Sequence, residues 1–107
     1  TLITEADCIP DHYSKDINGK IIAIDPKVLK PEFQRADRQL YYVTGGFGAS
    51  ANSRGSAVFC TNLHTGKSTR YERMDVMGEV KPERLPEWAK EKAQELLHKK
   101  RNKDKER

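Results

Sequence analysis

Short apolar runs separated by glycine, proline and polar turn residues make up most of the chain before residue 85. Where β-branched and aromatic residues concentrate in such runs, the pattern is typical of β-strands. Three runs predict strands in this way, at residues 20–24, 39–44 and 57–63. In the third run, strict alternation places Ala57, Phe59, Thr61 and Leu63 on one face of the predicted strand. It places Val58, Cys60 and Asn62 on the opposite face.

A fourth strand is predicted for the segment STRYERMDVMGEV, residues 68–80, which follows the tight turn HTGK. The same alternation predicts one face from Glu72, Met74 and Val76 and the other from Tyr71, Arg73 and Asp75. Gly78 interrupts this run and indicates a bulge or a break. Residues 1–19 contain several turn signals, so we expect an irregular lead-in there.

Two connections have distinctive composition. Asp25-Pro26 is typical of a capped helical turn, which Pro31 ends, and we expect Phe33 to fold back onto the core. The connection GGFGASANSRGS holds four of the seven glycines and has no helical period. It predicts a long loop, and loops of this length are often functional.

A helix is predicted from about Pro86 to about Lys100. Proline in the first turn and the early Glu87 both suit the positive end of a helix dipole. Apolar residues then recur with the three-four spacing of one helix face, at Leu85, Trp88, Ala89, Ala93, Leu96 and Leu97. We therefore expect this helix to cover one side of the sheet.

Together these elements predict the α+β class, with a small curled antiparallel sheet of four to five strands, partly barrel-like, packed against one C-terminal helix. The 107 residues suit one domain with one modest core. We assign residues 1–97 to this domain and residues 98–107 to a basic, fraying C-terminal tail.

The net charge of +4 is concentrated in that tail. Residues 1–97 contain 14 basic and 14 acidic residues, whereas residues 98–107 contain six basic and two acidic ones. A solvated helix end accounts for such a run, and sequence-independent contact with nucleic-acid phosphates is the alternative. The candidate phosphate contacts are Lys99, Lys100, Arg101 and Lys103.

The two cysteines and three histidines are scattered along the chain. Metal sites need closely spaced ligands, so we predict no metal and no cofactor. Cys60 lies in an apolar run and is predicted to be a core residue. The chain has neither an apolar run of membrane-spanning length nor a secretory signal pattern, and two free thiols suit a reducing compartment. These features predict a cytoplasmic protein.

The stretch TNLHTGKS ends like a phosphate-binding loop, but Thr61 replaces the first glycine of that motif and no helix follows. The glycine cluster is likewise not a dinucleotide-binding fingerprint followed by a helix. We predict no nucleotide binding. A serine from the loop (Ser50, Ser53 or Ser56) can be combined on paper with His64 and Asp75, but no spacing stands above chance. We therefore predict that the protein is not an enzyme.

The glycine-rich loop has two interpretations. Gly45, Gly46 and Gly48 serve backbone geometry in the first one. In the second, the loop presents Phe47 and Arg54, an aromatic and an arginine of the kind found at binding hot spots. Lys67 and Arg70, on the neighbouring hairpin, complete the candidate partner-binding residues.

Three segments, YYVTGGFGASANSRGSAVF, TRYERMDVMG and LPEWAKEK, occur here in this order. This combination resembles a small uncharacterised domain of the large polyvalent protein-associated type, found on phage and conjugative-element proteins of Firmicutes-type bacteria. The resemblance covers about residues 20–97. It depends on the Leu85-Pro86-Trp88 helix start and on a glycine motif that consists of Gly45, Gly46, Gly48, Arg54 and Gly55. It implies an accessory protein of elements that confront host defences such as restriction and CRISPR nucleases. It implies no catalytic residue.

We therefore expect a non-catalytic binding module of a mobile genetic element that binds a protein partner. An anti-defence inhibitor, anti-CRISPR or anti-restriction, is one concrete form. The alternative is a nucleic-acid-binding accessory protein that uses the basic tail, and an enzyme ranks last.

Overall fold

Six short strands form one antiparallel sheet in the part of the chain that the structure describes. The computed structural model describes residues 2–9, 16–49 and 55–105, and for residues 99–105 the course of the helix alone. The strands are β1 (Cys8–Ile9), β2 (Ile21–Ile24), β3 (Leu40–Gly45), β4 (Ala57–Asn62), β5 (Ser68–Glu72) and β6 (Val76–Val80). Their order across the sheet is β1-β6-β2-β3-β4-β5. The α+β class is confirmed, but the strands outnumber the prediction and the sheet is open rather than partly barrel-like.

The segment predicted as a fourth strand forms two strands, because Arg73–Asp75 is a 3₁₀ turn. β5 pairs with β4, whereas β6 lies between β1 and β2 at the far side of the sheet. The turn interrupts the predicted alternation, so Arg73 is 4% exposed and Met74 is 74% exposed. Arg73 is satisfied in its buried position because its guanidinium donates to the carbonyl of Gly48 at 2.7 Å.

The N-terminal segment was expected to be irregular, but it contributes β1, which pairs with β6. Gly78 lies opposite Ala23, and the next partners are Ile24 and Val76, so the register shifts here. The predicted bulge is therefore confirmed. Gly78 has a φ of +144°, and a Cβ at this position would lie 2.6 Å from the carbonyl oxygen of Ile9. Close approach of the β1 backbone explains the glycine.

Apolar side chains cover both faces of the sheet, because strands alternate their side chains between the faces. One cluster comprises Ile17, Ile22, Ile24, Leu29, Tyr41, Val43, Ala49, Val58, Cys60 and Val76. The other comprises Cys8, Ala23, Leu40, Tyr42, Leu63, Val80 and Ala89. The predicted division of β4 into Val58/Cys60 and Phe59/Thr61 faces agrees with this, but Phe59 is 48% exposed.

The helix α1 spans Glu87–Lys105 and continues beyond the predicted end at about Lys100. It packs on the second cluster through Trp88, Ala89, Ala93 and Leu96 of the predicted face, and Leu85, just before the helix, packs there as well. Leu97 was expected on that face and is instead 37% exposed. The helix therefore covers one face of the sheet, as predicted, and leaves the other face to the connecting segments.

Candidate functional site

A groove of about 420 Å³ lies on the sheet face opposite α1, between the segment 28–33 and strands β3 to β5. Three cationic residues line it, Lys30, Arg38 and Lys67, and no aspartate or glutamate does. We call this feature the basic groove.

Two proline-started 3₁₀ turns build the outer wall of the basic groove. Asp25 caps the turn Pro26–Val28 by accepting a hydrogen bond from the Lys27 amide at 3.0 Å. Leu29 then inserts into the core at 8% exposure, and Pro31–Phe33 forms the second turn. Because proline holds φ near the helical value, both turns keep a defined shape without a long helix.

Arg38 is the most constrained of the three cations. Its guanidinium carbon lies 5.2 Å from the centre of the Phe33 ring, a cation–π contact. Its Nε is buried and has no hydrogen-bond partner in the described part of the chain. Phe33 was expected to fold onto the core, but it is 37% exposed and instead contacts Arg38.

Among the described side chains, no ion pair neutralises the cations of the basic groove. In residues 2–9, 16–49 and 55–98, the ion pairs join other cations, such as Lys27 with Asp25 and Arg70 with Glu72. Lys30, Arg38 and Lys67 take part in none of them. The positive potential of the groove is therefore available to an anionic ligand.

Two tyrosines form the floor of the basic groove. Tyr41 and Tyr71 pack edge to face with ring centres 5.3 Å apart, and their hydroxyls are 3.0 Å apart. Burial, together with the hydrogen bond from Tyr41, raises the pKa of Tyr71, so the Tyr71 hydroxyl keeps its proton near neutral pH. One hydroxyl donates to the other, and the second hydrogen remains for a ligand or water.

Asn62, at the end of β4, connects the groove to the hairpin turn. Its side-chain oxygen accepts hydrogen bonds from the amides of His64 and Thr65, and its amide group donates to the carbonyl of Arg38 at 3.1 Å. Asn62 is 6% exposed. One buried side chain thus holds the Lys67 turn and the Arg38 backbone in a fixed relation.

The predicted partner-binding residues do not form one surface. Lys67 lines the basic groove, whereas Arg70 lies on the opposite face of β5 and pairs with Glu72 at 3.2 Å. Phe47 is 76% exposed and adjoins Gly55, before β4 begins. It is separated from Lys67 by the length of β4, on the order of 20 Å at ~3.3 Å per residue. Arg54 lies outside the described residues.

The predicted phosphate contacts Lys99, Lys100, Arg101 and Lys103 fall within α1. Their side chains lie outside the described part of the structure, so the nucleic-acid prediction for the tail stays a prediction. Lys30 and Arg38 were missed by the sequence reasoning. The proline-flanked segment was a signal for the wall, but no pattern indicated that Arg38 faces it.

The remaining candidate chemistry is dispersed. Ser56 precedes β4 and its hydroxyl contacts Glu72, while His64 follows β4 and lies 3.5 Å from Asp37. Ser56 and His64, two members of the triad considered from the sequence, thus lie at opposite ends of one strand. Ser50 and Ser53 lie outside the described residues. Cys60 is buried as predicted, and burial raises its pKa to about 12.

The described residues contain no group of three histidine, cysteine, aspartate or glutamate side chains able to hold a metal ion. They also contain no helix with the length and apolarity to cross a membrane.

In comparisons with known proteins, no family model, no curated protein and no solved structure matches the chain significantly. The mobile-element resemblance therefore stays a prediction, and the functional argument depends on the geometry of the basic groove.

Proposed function

We propose that the chain is a non-catalytic binding module that recognises an acidic segment of a protein partner in the basic groove. The observation that supports this most strongly is the combination of three cations and no carboxylate among the described residues that line the groove. An anionic side chain in the groove would bond to these cations and neutralise them.

The roles within the groove follow from side-chain chemistry. Arg38 offers a planar fork that suits a carboxylate, and its stacking on Phe33 holds the fork in place. Lys30 and Lys67 add mobile point charges at the rim. In the form implied by the mobile-element resemblance, the partner is a host defence nuclease and the module is its cytoplasmic inhibitor.

The test compares lysine variants of equal charge. Lys30→Ala and Lys67→Ala should each weaken binding of a fluorescein-labelled oligoglutamate peptide by about three- to tenfold at low salt, since each removes one groove cation. Fluorescence anisotropy measures this directly.

Lys27→Ala is the matched control, because Lys27 follows the same proline turn but pairs with Asp25 outside the groove. It should bind the peptide like the parent chain. Equal losses in all three variants would mean a nonspecific charge effect and would contradict the proposal.

A second candidate function, nucleic-acid binding, is favoured by the position of the net charge. All of the excess positive charge lies in residues 98–107, and α1 continues through most of them to Lys105. A helix carrying Lys99, Lys100, Arg101 and Lys103 suits phosphate contacts without base readout.

A further inference from the structure

The sheet ends at β5, and this strand has a partner on one side only in the described part of the chain. β5 pairs with β4 in a regular register from Ala57↔Glu72 to Thr61↔Ser68. An unpaired strand edge presents free amides and carbonyls that can bind a further strand.

The hydrogen-bonding pattern between β4 and β5 shows which residues of β5 direct their backbone groups to the open edge. Just beyond the two ends of β5, the backbone N–H of Asn62 donates to the carbonyl of Lys67 at 2.9 Å, and the backbone N–H of Arg73 donates to the carbonyl of Ser56 at 2.8 Å. Because hydrogen-bonded pairs alternate along antiparallel strands, Thr69 and Tyr71 bond to β4. Ser68, Arg70 and Glu72 therefore direct their backbone groups to the open edge.

The open edge of β5 has an occupied backbone amide at its Glu72 end and available backbone groups at its Ser68 end. The Glu72 amide is already bonded to the Asp75 side chain at 3.2 Å. This leaves Ser68 and Arg70 with outward backbone groups, at the end of β5 that adjoins Lys67. The available edge and the basic groove therefore meet at the same end of the strand.

The face of β5 that carries Thr69 and Tyr71 is the groove face. A strand added beside β5 would lie ~4.8 Å from it and would place every second side chain on that face. Acidic side chains at those positions would lie within reach of Lys67 and then Lys30. The positive charge of the basic groove and the unpaired backbone edge of β5 thus favour the same ligand, an extended acidic peptide.

Two other occupants suit the edge less well. A second copy paired antiparallel about Arg70 would place two Arg70 side chains opposite each other, which is unfavourable. A single-stranded nucleic acid would need flat rings for stacking, but Tyr41 is 5% exposed and Arg38 already lies over the Phe33 ring.

We propose that β5 takes up an extended acidic peptide as a seventh, antiparallel strand, whose alternate Asp or Glu side chains enter the basic groove. This inference rests on the proposed function and adds the backbone mode of recognition. Ser68 and Arg70 would exchange amide and carbonyl hydrogen bonds with those peptide residues whose side chains face away from the groove.

The experiment uses the full chain and a labelled peptide of alternating glutamate and threonine. In the proposed register the threonine amides bond to β5 and the glutamate amides face solvent. N-methylation of the threonine residues should weaken binding by about tenfold or more, whereas N-methylation of the glutamate residues should have little effect. A peptide of alternating lysine and threonine is the charge control and should not bind.

The outcomes separate the two proposals. Equal tolerance of both methylation patterns, with affinity still lost in Lys67→Ala, overturns strand addition and leaves the acidic-segment function standing. Sensitivity at the glutamate amides alone overturns the antiparallel register. If neither this peptide nor oligoglutamate binds, both proposals are wrong.

Discussion

Two cations of one hairpin have opposite roles, and this difference decides which of them lines the groove. Lys67 and Arg70 were grouped in sequence because both lie on one hairpin. The two-residue period of the strand directs Lys67 to the groove face and Arg70 to the other, where Glu72 neutralises it. Arg38, which no pattern singled out, completes the groove from a separate 3₁₀ turn. Residue type therefore indicated the candidate cations, but their positions in the fold decided which of them line the groove.

The buried thiols predict how stability depends on pH. Burial raises the pKa of Cys8 to about 11 and that of Cys60 to about 12, above their ordinary value of 9.0. The folded chain thus holds these protons more tightly than the unfolded chain. Their contribution is complete below about pH 9 and is lost as the pH rises through the folded-state values. Urea unfolding should therefore show lower stability at about pH 10 than at about pH 8.

A variant with both Cys8→Ala and Cys60→Ala provides the control for the pH experiment. It should lose less stability over the same pH interval than the parent chain, because it has no thiol to ionise. If parent and variant lose stability equally, other groups dominate and the thiol account is wrong.

At the level of elements, one short turn divides a segment that the hydrophobic pattern predicts as a single continuous strand. The 3₁₀ turn Arg73–Asp75 separates β5 from β6. Asp75 holds the turn locally by accepting from the Glu72 amide, whereas Arg73 is anchored to the distant Gly48. A pattern of alternate residues cannot detect the Arg73 contact, since it joins segments distant in sequence.

Gly78→Ala tests the close approach of β1 to β6. The new Cβ would lie 2.6 Å from the Ile9 carbonyl oxygen, on a backbone with a φ of +144°. Both effects are unfavourable, so the free energy of unfolding should fall by ~1–3 kcal/mol. Thermal or urea unfolding measures the change.

Gly45→Ala is the matched control within another strand. A Cβ at Gly45 meets no atom within 4 Å, so this variant should unfold like the parent chain. A similar loss in both variants would show that glycine-to-alanine changes act through general strand effects rather than through the β1 contact.

For the whole molecule, the two faces of the sheet divide structure from candidate function. α1 packs on one face through residues up to Leu96. The opposite face carries the basic groove beside the other apolar cluster, which contains Tyr41, Val58 and Cys60. The helix therefore does not compete with a ligand, and the basic tail that follows Leu97 is separate from the packed part of α1.

Removal of residues 98–107 tests the nucleic-acid alternative. The truncated chain keeps every α1 residue whose described side chain packs on the sheet, so it should remain folded. If the tail contacts phosphates, the truncated chain should bind single-stranded DNA more weakly, and the slope of log affinity against log salt should become shallower. Oligoglutamate binding in the groove should not decrease. Fluorescence anisotropy over a salt series measures both, and DNA binding unchanged by truncation would exclude the tail as its site.

Local patterns determined the class, several strands, the bulge at Gly78 and the helix with most of its buried face. These features depend on residue periodicity and on backbone restrictions of glycine and proline, which act within a few residues. The tertiary structure alone decided the pairing of β1 with β6, the division of segment 68–80 between two sides of the sheet and the assembly of Lys30, Arg38 and Lys67. Those outcomes depend on contacts between distant segments, such as Asn62 with Arg38, which leave no period in the sequence.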